Sequence, residues 1–266
     1  MPDPIVNAGA ETHDGAMAQH EHLHPGSFLL EGGSTGVLCV HGFSATPTEM
    51  RPVAEALHAR GHTVSAVCIA GHGTTVADLE KSRWQEWVKS VDDALVALKE
   101  HCEQVFIVAQ SAGVLMTQHV LLEHDDVKGL VALAPALYVK SNLLPVSVFW
   151  RFVQKEIKKG DEDCLSDDGP NDVWSYPTLP TESVYQFYQL QKSARPLMKK
   201  HDLPLLVMYG MHDQTVHQRA PQMLHDLNAH DDKELVWLDK SAHMLTVDHE
   251  RDVVSSKVAE WIHSRA

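Results

Sequence analysis

The chain has 266 residues, of which 44% are hydrophobic and 22% charged, and its formal net charge is -14 at pH 7. This length and composition predict one large globular domain with a sizeable core and exclude global disorder. The acidity argues against a nucleic-acid partner and against an anionic membrane surface, because both are bound through clustered Lys and Arg.

Local composition bears on membranes and on the cellular compartment. No run of about 18 apolar residues occurs, so we expect no integral membrane segment. Residues 1–24 lack the basic and apolar regions of a secretory signal and are predicted to form a flexible N-terminal tail. The cysteines show no CxxC pair or metal-ligand spacing, which predicts reduced thiols and a cytoplasmic location. They are Cys39, Cys68, Cys102 and Cys164.

Histidines recur at the end of the tail. His20, His22 and His24 alternate, so on an extended chain they would share one face and could bind a metal. A solvated tail is the preferred interpretation, because chain termini are commonly mobile. We therefore expect no bound metal.

Apolar runs of strand length alternate with amphipathic helical segments along most of the chain. This alternation predicts βαβ units, and hence an α/β fold with a mostly parallel central sheet flanked by helices. Strands are predicted at residues 27–31, 36–40, 62–69, 105–109, 127–133, 205–209 and 234–238. Helices are predicted at residues 48–60, 84–102, 112–123, 216–227 and 248–263.

The alternation stops between residues 139 and 200. This stretch is rich in aromatic residues and turns and contains no clean strand pattern. A structureless loop of such length is uncommon, so we interpret residues 139–200 as an inserted helical cap. Residues 25–138 and 201–266 then form the core domain.

The segment Ala109-Gln110-Ser111-Ala112-Gly113 directly follows a predicted strand and precedes a predicted helix. A nucleophilic serine at such a turn lies on strained backbone, which exposes its hydroxyl group and directs the next backbone N–H at the reacting centre. Small flanking residues are needed because the turn is tight. The alternative is that Ser111 merely caps an ordinary helix, since short patterns of small residues also arise by chance.

A second loop could complete the site of a serine nucleophile. His41-Gly42-Phe43 follows the strand at residues 36–40, in the position that supplies one oxyanion donor in α/β hydrolases. The predicted donors are the backbone N–H groups of Phe43 and Ala112. His41 itself is interpreted as a structural residue that shapes the loop.

The candidate acid is Asp213, in the loop after the strand at residues 205–209. A carboxylate there can accept the imidazole Nδ1–H, which selects the tautomer and stabilises the imidazolium. Asp239 and Asp248 are reserve candidates. An Asp in a loop also commonly caps a turn, which is the alternative for all three.

The candidate base is His243, in the loop between the last predicted strand and the last predicted helix. The resulting order Ser, Asp, His is the chain order of α/β hydrolases. His217 and His249 are nearby but fall within predicted helices, so they fit the role less well.

Five segments in order resemble one family. They are residues 41–47 (HGFSATP), 50–52 (MRP), 71–74 (GHGT), 87–88 (WV) and 241–248 (SAHMLTVD). Together they resemble the small bacterial carboxylesterases and monoacylglycerol lipases of the α/β-hydrolase superfamily, from about residue 25 to the C-terminus. The resemblance implies an α/β-hydrolase fold with a Ser–Asp–His triad, no metal or other cofactor, and a small cap over an acyl pocket. It also maps the oxyanion donors onto Phe43 and Ala112.

The sequence departs from the family pattern at two places. Ala109 stands where the family commonly has glycine. The family's lipases hold glycerol with a cap carboxylate, whereas residues 138–155 contain no acid. We therefore prefer a broader carboxylesterase over a monoacylglycerol lipase.

Apolar residues of the cap are expected to line the acyl pocket, because ligand pockets are mostly apolar. The alternative is that they only seal the cap onto the core. The residues predicted to bind substrate are Phe43, Leu143, Leu144, Val146, Val148, Phe149 and Phe152.

The predicted function is hydrolysis of carboxylic esters with short to medium acyl chains through an acyl-enzyme. A monoacylglycerol lipase is the first alternative, and a non-catalytic ligand-binding protein on the same scaffold is the second. No motif in the sequence indicates a peptidase. A dehalogenase is disfavoured because the turn after the predicted strand at residues 105–109 carries Ser111 and not Asp. The expected partner is a small-molecule ester, and the chain is expected to be a monomer or homodimer.

Overall fold

The computed structural model describes residues 23–141 and 143–266. Most of the predicted tail, residues 1–22 with His20 and His22, lies outside the described residues. Along the described residues, none of the helices has both the length and the apolar composition needed to cross a bilayer.

In chain order the strands of the described chain are β1 (Phe28–Leu30), β2 (Thr35–Val40), β3 (Thr63–Val67), β4 (Gln104–Gln110), β5 (Leu130–Leu133), β6 (Glu156–Lys158), β7 (Thr178–Pro180), β8 (Leu205–Gly210) and β9 (Lys233–Leu238). Seven of them form a central sheet in the order β1-β3-β2-β4-β5-β8-β9. Only β1 is antiparallel to its neighbour in this sheet; every other pair is parallel. The predicted α/β fold with a mostly parallel sheet is confirmed.

Helices cover both faces of this sheet. They are α1 (Arg51–His58), α2 (Val76–Lys81), α3 (Trp84–Lys99), α4 (Ala112–Val120), α5 (Leu143–Trp150), α6 (Thr181–Ala194), α7 (Arg219–Leu227) and α8 (Arg251–His263). The helix predicted from residue 48 begins as a 3₁₀ turn, Pro47–Met50, before α1. The short helix α2 was not predicted; the side chain of Thr75 caps it by accepting the backbone N–H of Asp78.

Strand β4 shows why the central strands are apolar between their ends. Alternate residues of a strand point to opposite faces. Ile107 and Ala109 accordingly join the core on one face, with Trp87 of α3, while Phe106 and Val108 join the other. Since both faces are covered by helices, no position in the strand can be polar without a buried partner.

The sheet order places a crevice between β2 and β4. The chain passes from β2 outward to β3 and then returns to pair β4 on the other side of β2. Loops that leave two such strands at their carboxyl ends diverge to opposite faces, which leaves space for a ligand. The loop at His41 and the turn at Ser111 are the two segments that leave this point.

The segment predicted as a cap, residues 139–200, contains α5, β6, β7 and α6. Strands β6 and β7 form an antiparallel pair with Ile157 opposite Leu179. The expectation that this segment has no strand was wrong, because strands of three residues are too short to show a period-two pattern. The boundaries of the cap as a domain stay a prediction.

Candidate active site

The turn after β4 has the geometry of a nucleophile elbow. Ser111 has φ 52° and ψ -112°, in a region that non-glycine residues rarely occupy. A Cβ added to Gly113 would lie 2.6 Å from the Val40 carbonyl oxygen, so only glycine fits there. Ala109, by contrast, is fully buried within β4, and its methyl group is accommodated by the core.

The two predicted oxyanion donors flank this serine. Ala112 is the first residue of α4, so its N–H has no partner within the helix. Phe43 lies in the loop after β2 and lines the same cleft as Ser111. Among the described residues, no hydrogen-bond acceptor is paired with either backbone N–H.

The structure brings the three predicted triad residues into one hydrogen-bonded line. Nε2 of His243 lies 2.9 Å from Ser111 Oγ, and Nδ1 of His243 lies 2.7 Å from Asp213 Oδ2. Asp213 is 1% exposed, and its other oxygen accepts the backbone N–H groups of Thr215 and Val216 at 2.8 and 2.7 Å. These contacts orient the carboxylate towards the imidazole. The loops after β4, β8 and β9 each contribute one of the three.

The reserve acid Asp248 has a different role. Its Oδ1 accepts the backbone N–H groups of Leu165 and Ser166, and its Oδ2 accepts that of Ala242. Both oxygens are therefore occupied by backbone donors. Asp248 joins residues 165–166 to the loop that carries His243.

The electrostatic surroundings of His243 favour its protonated form. Burial lowers the pKa of His243, but the Asp213 carboxylate raises it, with contributions from Asp163 and Glu49. The net pKa lies above the ordinary 6.5 of a histidine. A raised pKa suits a base that must accept a proton from a serine hydroxyl group.

His41 holds the loop that carries Phe43. Its Nε2 accepts the backbone N–H of Ile69 at 3.1 Å, and this hydrogen bond joins the loop to the end of β3. Burial and the neighbouring His72 hold the pKa of His41 well below its ordinary value. A neutral, buried imidazole in this position has a structural and not an acid–base task.

The cleft above Ser111 is lined by both polar and apolar residues. The polar lining comes largely from residues 159–163 of the predicted cap, with Ser175 and Thr215. The apolar lining residues are Phe43, Val139, Val173, Trp174, Phe187 and Met244. Phe43 and Phe187 stack with ring centroids 5.3 Å apart and planes 6° apart.

Most of the predicted acyl-pocket residues lie elsewhere, and that prediction needs correction. Phe43 lines the cleft, but Val146, Phe149 and Phe152 are 42%, 76% and 77% exposed. Leu144 is buried in the main core, Val148 is half-buried, and neither lines the cleft. Leu143 belongs to α5, but its side chain lies outside the described part of the structure. Because almost every residue of α5 is apolar, its sequence did not distinguish the face that meets the core from the exposed face.

Several polar residues at the cleft were not predicted. Glu162 accepts hydrogen bonds from Lys159 Nζ at 2.6 Å and from Ser175 Oγ at 2.7 Å. Asp163 and Glu49 also line the cleft. The predicted absence of a cap carboxylate concerns residues 138–155, whereas the acids of the cap at the cleft are at 161–163. No periodicity marks them, since they lie in irregular backbone after β6.

One group of residues has metal-ligand character. Single donor atoms of Asp163, Asp213 and His243 all lie within 4.8 Å of one another. Hydrogen bonds already join His243 to Asp213, and Asp163 to the loop after Asp213. The group fits a proton-transfer site better than a metal centre.

Comparison with known proteins agrees with this geometry. The family model described as serine aminopeptidase, S33, matches residues 34–250. The chain belongs to this α/β-hydrolase family. The S33 hydrolase described here is 29% identical over 241 residues to a thermostable monoacylglycerol lipase of Bacillus sp. (strain H-257), covering 90% of this chain and 94% of that protein. It is 26% identical over 242 residues to a carboxylesterase of Bacillus subtilis (strain 168), covering 90% and 96%.

A solved structure shares the fold of this S33 hydrolase. It comes from work on LipS and LipT, two metagenome-derived lipolytic enzymes. The TM-score is 0.86 at 24% identity, covering 91% of this chain and 98% of that chain. At this identity the likeness supports the fold alone, and it confirms the predicted α/β-hydrolase fold.

Proposed function

We propose that this S33 hydrolase is a serine carboxylesterase, with Ser111 as nucleophile, His243 as general base and Asp213 as the acid that orients it. The observation that carries the proposal is the continuous hydrogen-bonded line from Ser111 Oγ through His243 to Asp213. The chain is a carboxylic ester hydrolase, the class that the names of both relatives state.

The reaction follows from the positions of these groups. His243 Nε2 takes the proton of Ser111 as Oγ attacks the ester carbonyl carbon, and the Phe43 and Ala112 amides donate hydrogen bonds to the oxyanion. His243 then protonates the leaving alcohol, and the acyl group stays on Ser111. Water, deprotonated by His243, attacks the acyl-enzyme, and collapse of the second tetrahedral intermediate returns the proton to Ser111.

The mixed lining of the cleft suggests how an ester binds. The acyl chain packs against the stacked rings of Phe43 and Phe187, because apolar ligand surface is stabilised by apolar side chains. Polar groups of residues 159–163 are then available to the alcohol group. Short to medium acyl chains suit this arrangement.

A monoacylglycerol lipase is the second candidate, and the Glu162 group favours it. Lys159, Glu162 and Ser175 offer both donors and acceptors at the cleft, which suits a polyhydroxylated leaving group. The absence of an acid from residues 138–155 favours the first candidate less strongly, because Glu162 supplies a carboxylate to the same cleft.

An ester panel tests the proposed function. We expect wild-type protein to hydrolyse p-nitrophenyl esters from acetate to laurate, and Ser111→Ala to lose at least ~10⁴-fold in kcat. Ser264→Ala, at an exposed serine near the C-terminus, is the matched control and is expected to behave as wild type. Near wild-type turnover by Ser111→Ala would contradict the proposal.

Two further substrate classes separate the alternatives. Monoacylglycerols and alkyl esters with the same acyl group distinguish the lipase from the broader esterase, and amino-acyl anilides test the activity that the family description names. A fluorophosphonate probe separates a catalyst from a binding protein, because an inert Ser111 would not be labelled.

A further inference from the structure

A buried carboxyl group lies directly behind the candidate active site. Glu49 is 3% exposed and is the third residue of the 3₁₀ turn Pro47–Met50. Its Oε1 accepts the backbone N–H of Gly42 at 2.5 Å, and its Oε2 accepts the side-chain N–H of Gln110 at 3.3 Å. The mechanism above gives Glu49 no task.

Each of the two hydrogen-bond partners of Glu49 lies one residue before a group of the proposed mechanism. Gly42 immediately precedes Phe43, one oxyanion donor, and Gln110 immediately precedes Ser111, the nucleophile. One carboxyl group therefore joins the loop after β2 to the turn after β4. These are the two segments that meet at the crevice of the sheet.

Packing between these groups leaves little freedom. A Cβ added to Gly42 would lie 3.3 Å from Ser111 Cβ and 3.4 Å from Glu49 Oε1. Gly42 thus lies in a single layer between the nucleophile and the carboxyl group. A shift of the Glu49 side chain would move Gly42, and with it the N–H of Phe43.

Burial of an ionised carboxyl group in this position costs free energy. The surroundings of Glu49 keep both its protonated and its ionised form accessible. Burial raises the pKa of Glu49 to about 7, against the hydrogen bond from Gly42 and the nearby His243. Glu162 raises this pKa further, and Lys159 lowers it. An apolar residue of similar size would avoid this cost, but it could not accept the N–H of Gly42.

We propose that Glu49 is a positioning residue for the oxyanion hole, which holds the Phe43 amide in register with Ser111 by bridging Gly42 and Gln110. The inference rests on the proposed function, because an oxyanion hole has a task only if Ser111 attacks a carbonyl carbon. Donors to an oxyanion contribute mainly in the transition state. Displacing one of them should therefore lower kcat and leave KM largely unchanged.

Substitutions of Glu49 test this role by separating its hydrogen bonds from its charge. Glu49→Gln keeps an oxygen acceptor for the Gly42 N–H, so we expect kcat within ~5-fold of wild type. Glu49→Ala removes the bridge, and Glu49→Asp shortens it so that both partners cannot be reached. For both we expect kcat to fall by ~10–100-fold with KM within ~3-fold. Glu55→Gln, an exposed glutamate of α1, is the matched control.

An alkyl boronic acid that mimics the tetrahedral intermediate supplies the second readout. Its Ki should rise in Glu49→Asp and Glu49→Ala in parallel with the loss of kcat/KM, and recover in Glu49→Gln.

Failure of this inference is distinguishable from failure of the proposed function. If wild-type protein hydrolyses esters while Glu49→Asp and Glu49→Ala keep kcat and boronate Ki within ~2-fold, the positioning role is overturned and the esterase stands. If wild-type protein hydrolyses no ester and resists fluorophosphonate, the proposed function itself fails. If Glu49→Ala does not fold, Glu49→Asp and Glu49→Gln decide, and equal activity in these two would overturn the role.

Discussion

The backbone carbonyl oxygen of Asp163 accepts the backbone N–H of His243 at 3.0 Å. The side chain of the same residue reaches the other half of the site: its Oδ2 accepts the backbone N–H groups of Gln214 and Thr215, each at 2.8 Å. One residue of the predicted cap is thus bonded to both loops that carry His243 and Asp213. The cap segment and the triad are held together by Asp163.

Substitution of Asp163 should disturb the triad although the residue takes no part in bond making. In Asp163→Ala the loop after Asp213 loses the acceptor that Oδ2 provides, and we expect kcat to fall by ~10-fold. Asp163→Asn keeps an oxygen acceptor and should lose less. Steady-state kinetics on a p-nitrophenyl ester measures both, with Asp167→Asn, an exposed acid of the same segment that does not line the cleft, as the control. Equal activity of Asp163→Ala and wild type would contradict the role.

The pH dependence of kcat/KM should report His243. Burial lowers its pKa and the carboxylates of Asp213 and Asp163 raise it, with a net value above 6.5. Only the neutral imidazole can accept the proton of Ser111, so activity should fall as the pH drops through this raised pKa. Asp163→Asn removes one of the negative charges and should move the acid limb to lower pH. An acid limb that moves to higher pH in this variant would contradict the assignment.

The turn around Ser111 should tolerate a substitution at Ala109 but not at Gly113. In Gly113→Ala the new Cβ would meet the carbonyl oxygens of Val40 and His41 at 2.6 and 2.8 Å, both backbone atoms that cannot move aside. We expect the free energy of unfolding to fall by about 1–3 kcal/mol from overpacking. Denaturant unfolding measures this loss, and fluorophosphonate labelling of Ser111 should fall with it.

Ala109→Gly is the control at the opposite side of the same turn. This substitution removes a buried methyl group and adds backbone freedom within β4, so the free energy of unfolding should fall by about 1–2 kcal/mol. It does not displace Ser111. Labelling by the probe should therefore persist. Loss of labelling in Ala109→Gly but not in Gly113→Ala would contradict the elbow geometry.

Acyl-chain preference should depend on Phe187 and not on Phe149. Phe187 is 8% exposed, stacks on Phe43 and lines the cleft, whereas Phe149 is 76% exposed. Phe187→Ala removes apolar contact from the cleft, so kcat/KM for medium-chain esters should fall by ~10-fold, with a smaller effect on acetate. Phe149→Ala is the matched control and should leave the acyl-chain profile unchanged. A change in the profile caused by Phe149→Ala would restore the original pocket prediction.

Several features of the fold and of the candidate site could be predicted from short stretches of the sequence. The parallel sheet followed from apolar runs of strand length, because strands covered by helices on both faces must be apolar throughout. The order of Ser111, Asp213 and His243 in loops after strands also required no coordinates. The S33 family match and the hydrogen-bonded line between these side chains agree with that order.

The cleft could not be derived in the same way. Helix α5 is apolar on all sides, so periodicity did not distinguish the face that meets the core from the exposed face with Phe149. Glu49 lay within a predicted helix as an ordinary acidic residue. Its hydrogen-bond partners in the folded chain are Gly42, 7 positions away, and Gln110, 61 positions away.

The amino-acid sequence by itself determined most strands and helices of the core, the turn at Ser111 and the candidates for the triad, because each is recognised from residues that are neighbours in the chain. Only the tertiary structure decided which cap residues line the cleft and which acids hold the site together. Those properties depend on how residues 139–200 and the loops after β2, β8 and β9 come to share one edge of the sheet. Hydrogen bonds such as that from Thr215 to Asp163, 52 positions apart, exist only after the chain has folded.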